Sequence, residues 1–201
     1  MASPAIATEI GSKTYDDLLA MPDDGNRYEL IFGEIVMTAS PKRKHQFALF
    51  QLGKLIDAYV RDHRLGEVYI APYDVKLSVH NVVEPDILFV RRSRLSILTE
   101  DFVDGPPDLV VEVLSPTNRA HDLVKKATLY ADFGIPEYWI VDPATDAITV
   151  YVLESGHYRP LPNRPGVAAS VVLPGLEIRP EDVFAPPEWE STSDDDDDVM
   201  E

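Results

Sequence analysis

Apolar positions along the chain follow two spacings, which predict helices and short strands. Between Lys44 and His63 apolar residues recur every three or four positions, which predicts a long helix ended by Gly66. The same spacing predicts a second long helix from Arg119 to Phe133. A short first helix is predicted after Thr14, because threonine is a favourable N-cap residue.

Runs rich in β-branched and aromatic residues predict the strands. Around a tight turn at Gly33, RYELI and EIVMT predict a pair of short strands. EVYIAPYDVKLSV predicts one long strand with a break point at Pro72, and VEPDILFVRR predicts the next. RSRLSILTEDFVDGPP is predicted to be a loop or a short helix. Further strands are predicted from DLVVEVLSP, EYWIVDP and AITVYVL, and a late hairpin from HYRPLPNRPGVAASVVL.

This mixture of helices and strands predicts an α/β fold with a central mixed β-sheet flanked by helices. DLVVEVLSP is apolar on both faces except at Glu112, which is typical of a strand in the middle of a sheet. The length of 201 residues and the apolar content of 45% suit one domain, predicted for residues 14–187. Residues 1–13 are predicted to be a flexible arm, and the aspartate-rich residues 188–201 a disordered tail.

The net charge of −17 restricts the choice of partners. An acidic chain is unfavourable for nucleic-acid binding, because the phosphate backbone is also negative. Eight of the 35 acids lie in the tail, and the other 27 still outnumber the 18 bases. DNA binding would therefore depend on metal ions and on two basic clusters, for which phosphate contact and surface solubility are equal alternatives. The clusters are Lys42, Arg43, Lys44 and Arg91, Arg92, Arg94.

One residue type and two kinds of segment are absent, which excludes some classes of protein. The chain contains no cysteine, so neither disulfides nor thiolate metal sites can form. No apolar run approaches the length of a membrane span, and the first residues lack the basic and apolar regions of a secretory signal. We therefore expect a cytoplasmic protein without a membrane-bound part.

Two carboxylates stand in strand segments where a core residue would be apolar. Asp86 follows a proline before ILFV, and Glu112 lies between valines in LVVEVL. Singly, Asp86 could be a strand-entry residue, and Glu112 could face solvent or pair with an arginine. As a pair on neighbouring strands they could hold a hard cation such as Mg²⁺. Lys126 borders the apolar stripe of the second long helix, from which its amine could reach the strand ends.

Other polar residues have simpler interpretations. Asp108 is expected to begin its strand, and Asp122 to favour the first turn of its helix. His45 and His121 adjoin polar residues and are expected to be solvated rather than to bind a metal. Lys125 is expected to point to solvent. The chain contains no glycine-rich phosphate loop and no serine nucleophile motif.

Three segments carry a resemblance to a known family: YELIFGEIV, VEPDILFV and PDLVVEVLSPTNRAHDLVKKATLYADFGIPEYWIVDP. They resemble the Uma2 family of restriction-endonuclease-like proteins, within the PD-(D/E)XK nuclease superfamily. The resemblance spans about residues 14–185 and is most specific in the block 108–143. It implies a restriction-endonuclease-like fold and Mg²⁺-dependent DNA cleavage, with Mn²⁺ as a substitute metal and a homodimer as the working form.

The resemblance also implies roles for individual residues. Asp86 matches the first acid of the family's motif and Glu112 the second, and both are implied metal ligands together with Val113. The superfamily's usual lysine position, two residues past the second acid, holds a leucine here. The family's lysine instead matches Lys126 on the following helix, where it would assist the attacking water. Glu34, in the GE step, is implied as a further ligand or water-holding acid.

Two other functions stay open at this point. A catalytically silent module that keeps the nuclease fold would suit the acidic surface, although the complete set of Asp86, Glu112 and Lys126 counts against it. A metal-dependent phosphohydrolase for small nucleotides would also tolerate an acidic surface. Convergence of the three side chains would favour an enzyme, and a narrow closed pocket would favour the phosphohydrolase.

Overall fold

The computed structural model describes residues 11–38, 40–115, 121–162 and 166–185. At positions 121 and 122 it describes the backbone alone. The predicted N-terminal arm is therefore described only from residue 11 onward, and the predicted tail of residues 188–201 lies outside the described residues.

Helices and strands are mixed along the described chain. The helices are α1 (Tyr15–Leu19), α2 (Arg43–His63), α3 (His121–Asp132) and α4 (Pro180–Phe184). The strands are β1 (Arg27–Ile31), β2 (Glu34–Thr38), β3 (Gly66–Ile70), β4 (Asp74–Ser78), β5 (Asn81–Val83), β6 (Ile87–Arg91), β7 (Phe102–Asp104), β8 (Leu109–Val113), β9 (Glu137–Asp142), β10 (Ala147–Glu154), β11 (His157–Pro160), β12 (Ala168–Ala169) and β13 (Glu177–Ile178). In this part of the chain no helix is both long and apolar enough to cross a membrane.

The strands form one large mixed sheet and two smaller sheets. The six-stranded sheet has the order β11-β10-β9-β8-β6-β3, in which β8 and β9 run parallel and the other neighbours antiparallel. A five-stranded sheet has the order β2-β1-β5-β4-β7, and β12 pairs with β13. The predicted α/β fold with a mixed β-sheet flanked by helices is confirmed.

Both faces of the six-stranded sheet carry a core, because successive strand residues point to opposite sides. On one face, Leu52 of α2 belongs to a cluster with Phe89 of β6 and Trp139 of β9. On the other face, Tyr130 of α3 belongs to a cluster with Val110 of β8 and with residues of the five-stranded sheet. Every residue of β8 is therefore buried, as predicted for a strand in the middle of a sheet.

Two segments of the chain have more structure than was predicted for them. EVYIAPYDVKLSV divides at Pro72, and its halves join different sheets, because β3 pairs with β6 whereas β4 pairs with β5. RSRLSILTEDFVDGPP contains a 3₁₀ helix (Arg92–Ile97), as one alternative allowed, and also β7. The strand β7 was not predicted, because its parallel partner β4 comes much earlier in the chain.

The predicted late hairpin is wrong. Strand β11 pairs with the preceding strand β10, through a two-residue turn of Ser155 and Gly156 that both have positive φ. Such a turn matches the twist of an antiparallel pair, which explains why the hairpin forms there. The prolines that follow β11 lack the N–H groups that a further ladder would need.

Glu137, the first residue of β9, is fully buried and has no cationic partner among the described residues. Its Oε1 accepts hydrogen bonds from Trp139 Nε1 at 2.7 Å and Ser170 Oγ at 2.6 Å. Its Oε2 accepts from the backbone N–H groups of Val171 at 2.6 Å and Val172 at 2.9 Å. Four neutral donors thus hold the carboxylate, which fastens the segment between β12 and β13 to the large sheet.

Glu137→Gln is expected to lower the free energy of unfolding by about 3 kcal/mol. Whichever way the new amide is turned, its NH₂ group must face two of the four donors. Urea unfolding measures the change. Glu154→Gln, at an exposed position of β10, is the control and should shift the free energy by no more than about 0.5 kcal/mol. Similar shifts in both variants would contradict the anchoring role.

Candidate active site

Two adjacent strands bring the predicted acids together. Strands β6 and β8 run antiparallel with Ile87 opposite Val111, so the next step of the register places Asp86 opposite Glu112. Side chains of opposing residues lie on the same face of a sheet. Asp86 Oδ2 also accepts a hydrogen bond from the backbone N–H of Val113 at 2.7 Å, which holds this carboxylate against the end of β8.

Helix α3 brings the predicted lysine to the same place. Lys126 Nζ lies 2.9 Å and 3.1 Å from the two carboxylate oxygens of Glu112. One turn later, Tyr130 donates a hydrogen bond from its hydroxyl to Glu112 Oε1 at 2.6 Å. Because Lys126 and Tyr130 are both buried, α3 encloses the Glu112 carboxylate. The structure thus brings Asp86, Glu112 and Lys126 together.

A second glutamate, Glu29 of β1, belongs to this ion cluster although it was not predicted as a site residue. Its Oε1 lies 2.9 Å from Lys126 Nζ and accepts a hydrogen bond from the backbone N–H of Glu84 at 2.8 Å. Glu29 is buried, and it interrupts the apolar run YELI as Glu112 interrupts its own strand. The criterion that identified Glu112 would therefore also have identified Glu29.

Glu34, the acid named from the family's GE step, is not brought to this cluster. Its side chain is 61% exposed, and its Oε2 lies 2.7 Å from Lys125 Nζ. Lys125 was expected to point to solvent but forms this surface ion pair. Glu34 follows the turn between β1 and β2, outside the buried cluster around Lys126. Its catalytic role remains a prediction.

Burial and the neighbouring charges together shift the pKa of Glu112. Burial raises the pKa of Glu112, Lys126 lowers it, and Asp86 and Glu29 raise it again, with a result of about 7. For Lys126, burial alone would lower the pKa, but Glu112 and Glu29 outweigh burial and hold the pKa well above its ordinary value. Lys126 is therefore a fixed ammonium group rather than a base.

A small cavity of about 90 Å³ adjoins these residues. Four acids and three basic side chains border it: Glu29, Glu84, Asp86, Glu112, Arg27, His45 and Lys126. Drug-sized ligands and cofactors commonly occupy pockets of about 300–1,000 Å³. The cavity can therefore take an ion, a few water molecules or one phosphoryl group, but not a whole nucleotide.

Arg27 and Glu84 form a second ion pair at this cavity. Arg27 Nη1 lies 2.8 Å from Glu84 Oε1. Burial raises the pKa of Glu84, and Arg27 opposes this by lowering it. The side chain of Arg27 is 37% exposed, so it links the buried acids to the solvent at the cavity rim.

Of the expectations for the remaining polar residues, one is wrong, one agrees with the structure and two lie outside the described residues. His45 is buried at the cavity with Nε2 3.3 Å from Asp86 Oδ2, so the expectation of a solvated ring is wrong. Asp108 lies away from the cavity and accepts a hydrogen bond from the backbone N–H of Arg91 at 2.9 Å, in keeping with the structural role expected for it. The side chains of His121 and Asp122 lie outside the described residues.

The two basic clusters lie at different distances from the cavity. Lys42, Arg43 and Lys44 are exposed at the start of α2, immediately before His45. The other cluster follows the far end of β6, about 16 Å along the strand from Asp86. There Arg94 Nη1 lies 3.0 Å from Asp108 Oδ1, so part of that charge is already balanced. The first cluster is thus the one next to the cavity.

Comparison with protein families assigns most of the chain to one of them. The sequence model of Uma2, described as "Putative restriction endonuclease", matches residues 15–181. The chain belongs to the Uma2 family. The family resemblance expected from the sequence is thereby confirmed. A search of curated proteins finds no match.

A solved structure supports the fold of this Uma2 protein. It is the crystal structure of a putative nuclease belonging to DUF820 from Anabaena variabilis. The two structures align with a TM-score of 0.71 over 85% of this chain and 97% of the other, at 20% sequence identity. At that identity the likeness establishes a shared fold.

The donor chemistry of this Uma2 site suits a hard divalent cation. Mg²⁺ and Mn²⁺ prefer oxygen ligands, and carboxylates border the cavity. Among the described residues, however, no three His, Cys, Asp or Glu side chains are spaced to hold one ion. Both oxygens of Glu112 are hydrogen-bonded to Lys126, so a cation at Glu112 must share or displace that ammonium group.

The raised pKa of Glu112 predicts a pH dependence of stability. The folded-state value of about 7 lies above the ordinary 4.5, so the folded protein binds this proton more tightly than the unfolded chain does. The contribution of Glu112 to the free energy of unfolding should therefore fall as the pH rises from about 4.5 to about 7. Urea unfolding of the wild type and of Glu112→Gln in EDTA, repeated across this pH range, isolates the effect. A difference in the free energy of unfolding between the two proteins that does not change with pH would contradict it.

Lys126→Met is expected to lower the free energy of unfolding by about 3–5 kcal/mol. The change leaves the carboxylates of Glu29 and Glu112 buried without their cation. Lys125→Met removes the adjacent lysine, whose partner Glu34 is exposed, and should cost at most about 1 kcal/mol. Urea unfolding near neutral pH compares the two variants, and equal losses would contradict a buried ion cluster around Lys126.

Proposed function

We propose that this protein is a Mg²⁺-dependent endonuclease that hydrolyses phosphodiester bonds of DNA. The observation that carries the proposal is the convergence of three side chains at one cavity: Asp86 directly before β6, Glu112 of β8 and Lys126 of α3. Membership in a family described as "Putative restriction endonuclease" supports the same reaction. A purely structural cluster would need no acid beyond those that balance Lys126, whereas Asp86 is a further acid at the same point.

The site residues would divide the work of hydrolysis. Asp86, Glu112 and the backbone carbonyl of Val113 would hold the cation. When bound, Mg²⁺ lowers the pKa of a coordinated water and offsets negative charge on the phosphoryl group. The Lys126 ammonium adds a fixed positive charge toward that group. Glu29 keeps the ammonium in position through its 2.9 Å contact, so the lysine stabilises charge without accepting a proton.

The size of the cavity is compatible with a polymeric substrate. A volume of about 90 Å³ is too small for a base and sugar together with a phosphate. In a polymer the scissile phosphate alone would enter, and the neighbouring phosphates would stay outside. Lys42, Arg43 and Lys44 are exposed, lie in sequence between Pro41 and His45, which line the cavity, and suit contact with those phosphates.

We also propose that the enzyme acts as a homodimer in the cytoplasm. Two copies related by twofold symmetry would offer one site to each strand of a duplex. The absence of cysteine is compatible with a reducing compartment. Light scattering measures the mass in solution, and linear rather than nicked plasmid products would indicate paired cuts.

A catalytically silent module is the second candidate, and one observation favours it. Lys126 contacts both oxygens of Glu112, so this carboxylate is already paired without a cation. Calorimetric titration with Mn²⁺ separates the two candidates. Binding that is lost in Glu112→Gln would support an enzyme, whereas no binding would support the silent module.

DNA cleavage at low salt in Mg²⁺, Mn²⁺ or EDTA tests the main proposal. Cleavage should require the metal and fall at least about 100-fold in Asp86→Asn and Glu112→Gln, which keep the side-chain shapes but lose the charges. Lys125→Met, next to the site lysine, should cut as the wild type does. Absence of metal-dependent cutting, or equal cutting by all four proteins, would overturn the proposal.

Two single variants, compared side by side, test which glutamate contributes to cleavage. Glu29→Gln removes the second charge on the ammonium group, whereas Glu34→Gln removes an exposed surface charge. We expect the cleavage rate to fall at least about tenfold more in Glu29→Gln than in Glu34→Gln. The reverse order would support the role implied for Glu34 by the family's GE step, that of a further metal ligand or water-holding acid.

A further inference from the structure

His45 of α2 adjoins the candidate site without an assigned role. It lies in the first turn of the helix, which begins at Arg43. The residue is only 9% exposed and borders the cavity. Its Nε2 lies 3.3 Å from Asp86 Oδ2. A carboxylate oxygen can only accept, so Nε2 must carry the proton that faces Asp86.

The other ring nitrogen of His45 has no partner. Nδ1 is buried and forms no hydrogen bond within the described part of the chain. Buried polar atoms are nearly always hydrogen-bonded, and an exception disfavours the folded state. An apolar side chain of similar size would avoid this cost. The unpartnered Nδ1 therefore does not stabilise the folded state, and the polar contact that a histidine makes here is the one from Nε2 to Asp86.

The contacts of Asp86 suggest that reason. Its Oδ2 receives the backbone N–H of Val113 at 2.7 Å and faces His45 Nε2. The opposite oxygen, Oδ1, has no hydrogen-bond donor among the residues that the structure describes. The Val113 hydrogen bond and the 3.3 Å contact with His45 thus fall on one oxygen, and the other has no protein partner among the described residues. A hydrogen-bonded carboxylate of this kind is pre-oriented for a cation.

We propose that His45 is a positioning residue for Asp86. Its Nε2–H holds Oδ2, together with the N–H of Val113, so that Oδ1 stays available to a divalent cation. His45 does not itself ligate the cation, because its Nδ1 is buried away from solvent. This inference rests on the proposed function, since it concerns the acid that would hold the metal there.

Calorimetric titration of the full-length protein with Mn²⁺ tests the inference without any DNA. His45→Leu removes the donor and should weaken Mn²⁺ binding at least about tenfold, the usual effect of losing an outer-sphere partner. His45→Gln carries an amide N–H near the position of Nε2 and should restore most of the affinity. His63→Leu, near the exposed end of the same helix, is the control and should bind Mn²⁺ as the wild type does.

Thermal unfolding of the same proteins in EDTA separates positioning from a structural role. Because His45→Leu removes an unsatisfied buried nitrogen, its melting temperature should equal or exceed that of the wild type. A strongly destabilised or unfolded Leu variant would make His45 structural and overturn the inference. Equal Mn²⁺ affinity in the wild type and in His45→Leu would overturn it as well.

The experiments distinguish failure of the nuclease proposal from failure of the inference about His45. If the wild type binds Mn²⁺ but cuts no DNA, the nuclease proposal fails. The Mn²⁺ affinities of His45→Leu and His45→Gln still decide the role of His45 in that case. If the wild type cuts DNA and His45→Leu binds Mn²⁺ normally, the nuclease stands and the inference about His45 fails. If the wild type binds no Mn²⁺, the metal site and its positioning residue are both overturned.

Discussion

A glutamate in the middle of a sheet that is buried on both faces constrains much of this structure. Removing Glu112 from water is costly unless its charge is balanced, and the balance comes from Lys126 and the Tyr130 hydroxyl on one face of α3. Helix α3 must therefore present this face to β8. A different rotation of the helix would leave a carboxylate and an ammonium group buried apart.

The same ion cluster connects the two large sheets and accounts for the acidic cavity. Glu29 of the five-stranded sheet shares Lys126 with Glu112 of the six-stranded sheet. One lysine cannot balance both glutamates, and Asp86 adds another acid next to them. A phosphate would be repelled from such a cavity unless a cation accompanied it. The proposed hydrolysis therefore depends on a divalent metal more than on the basic surface.

Particular residues illustrate how far sequence reasoning reached. Glu112 was recognisable because an acid inside an apolar strand needs a partner, and the spacing of the following helix pointed to Lys126. Glu29 breaks an apolar run in the same way, but the family resemblance implied Glu34, in the GE step, instead. His45 has polar neighbours in sequence, so its burial against Asp86 could not be read from them. The late hairpin does not form because β11 pairs instead with the preceding strand β10, through the turn at Ser155 and Gly156.

The sequence by itself determined the helices, most strands, the family and the acidic charge, because these depend on local spacing, motif order and composition. It also limited the site to a few acids and one lysine. Only the tertiary structure decided that Glu29 meets Lys126, that His45 meets Asp86 and that β3 and β4 join different sheets. The physical reason is that hydrophobic periodicity specifies which face of an element is buried, but not which distant element covers it.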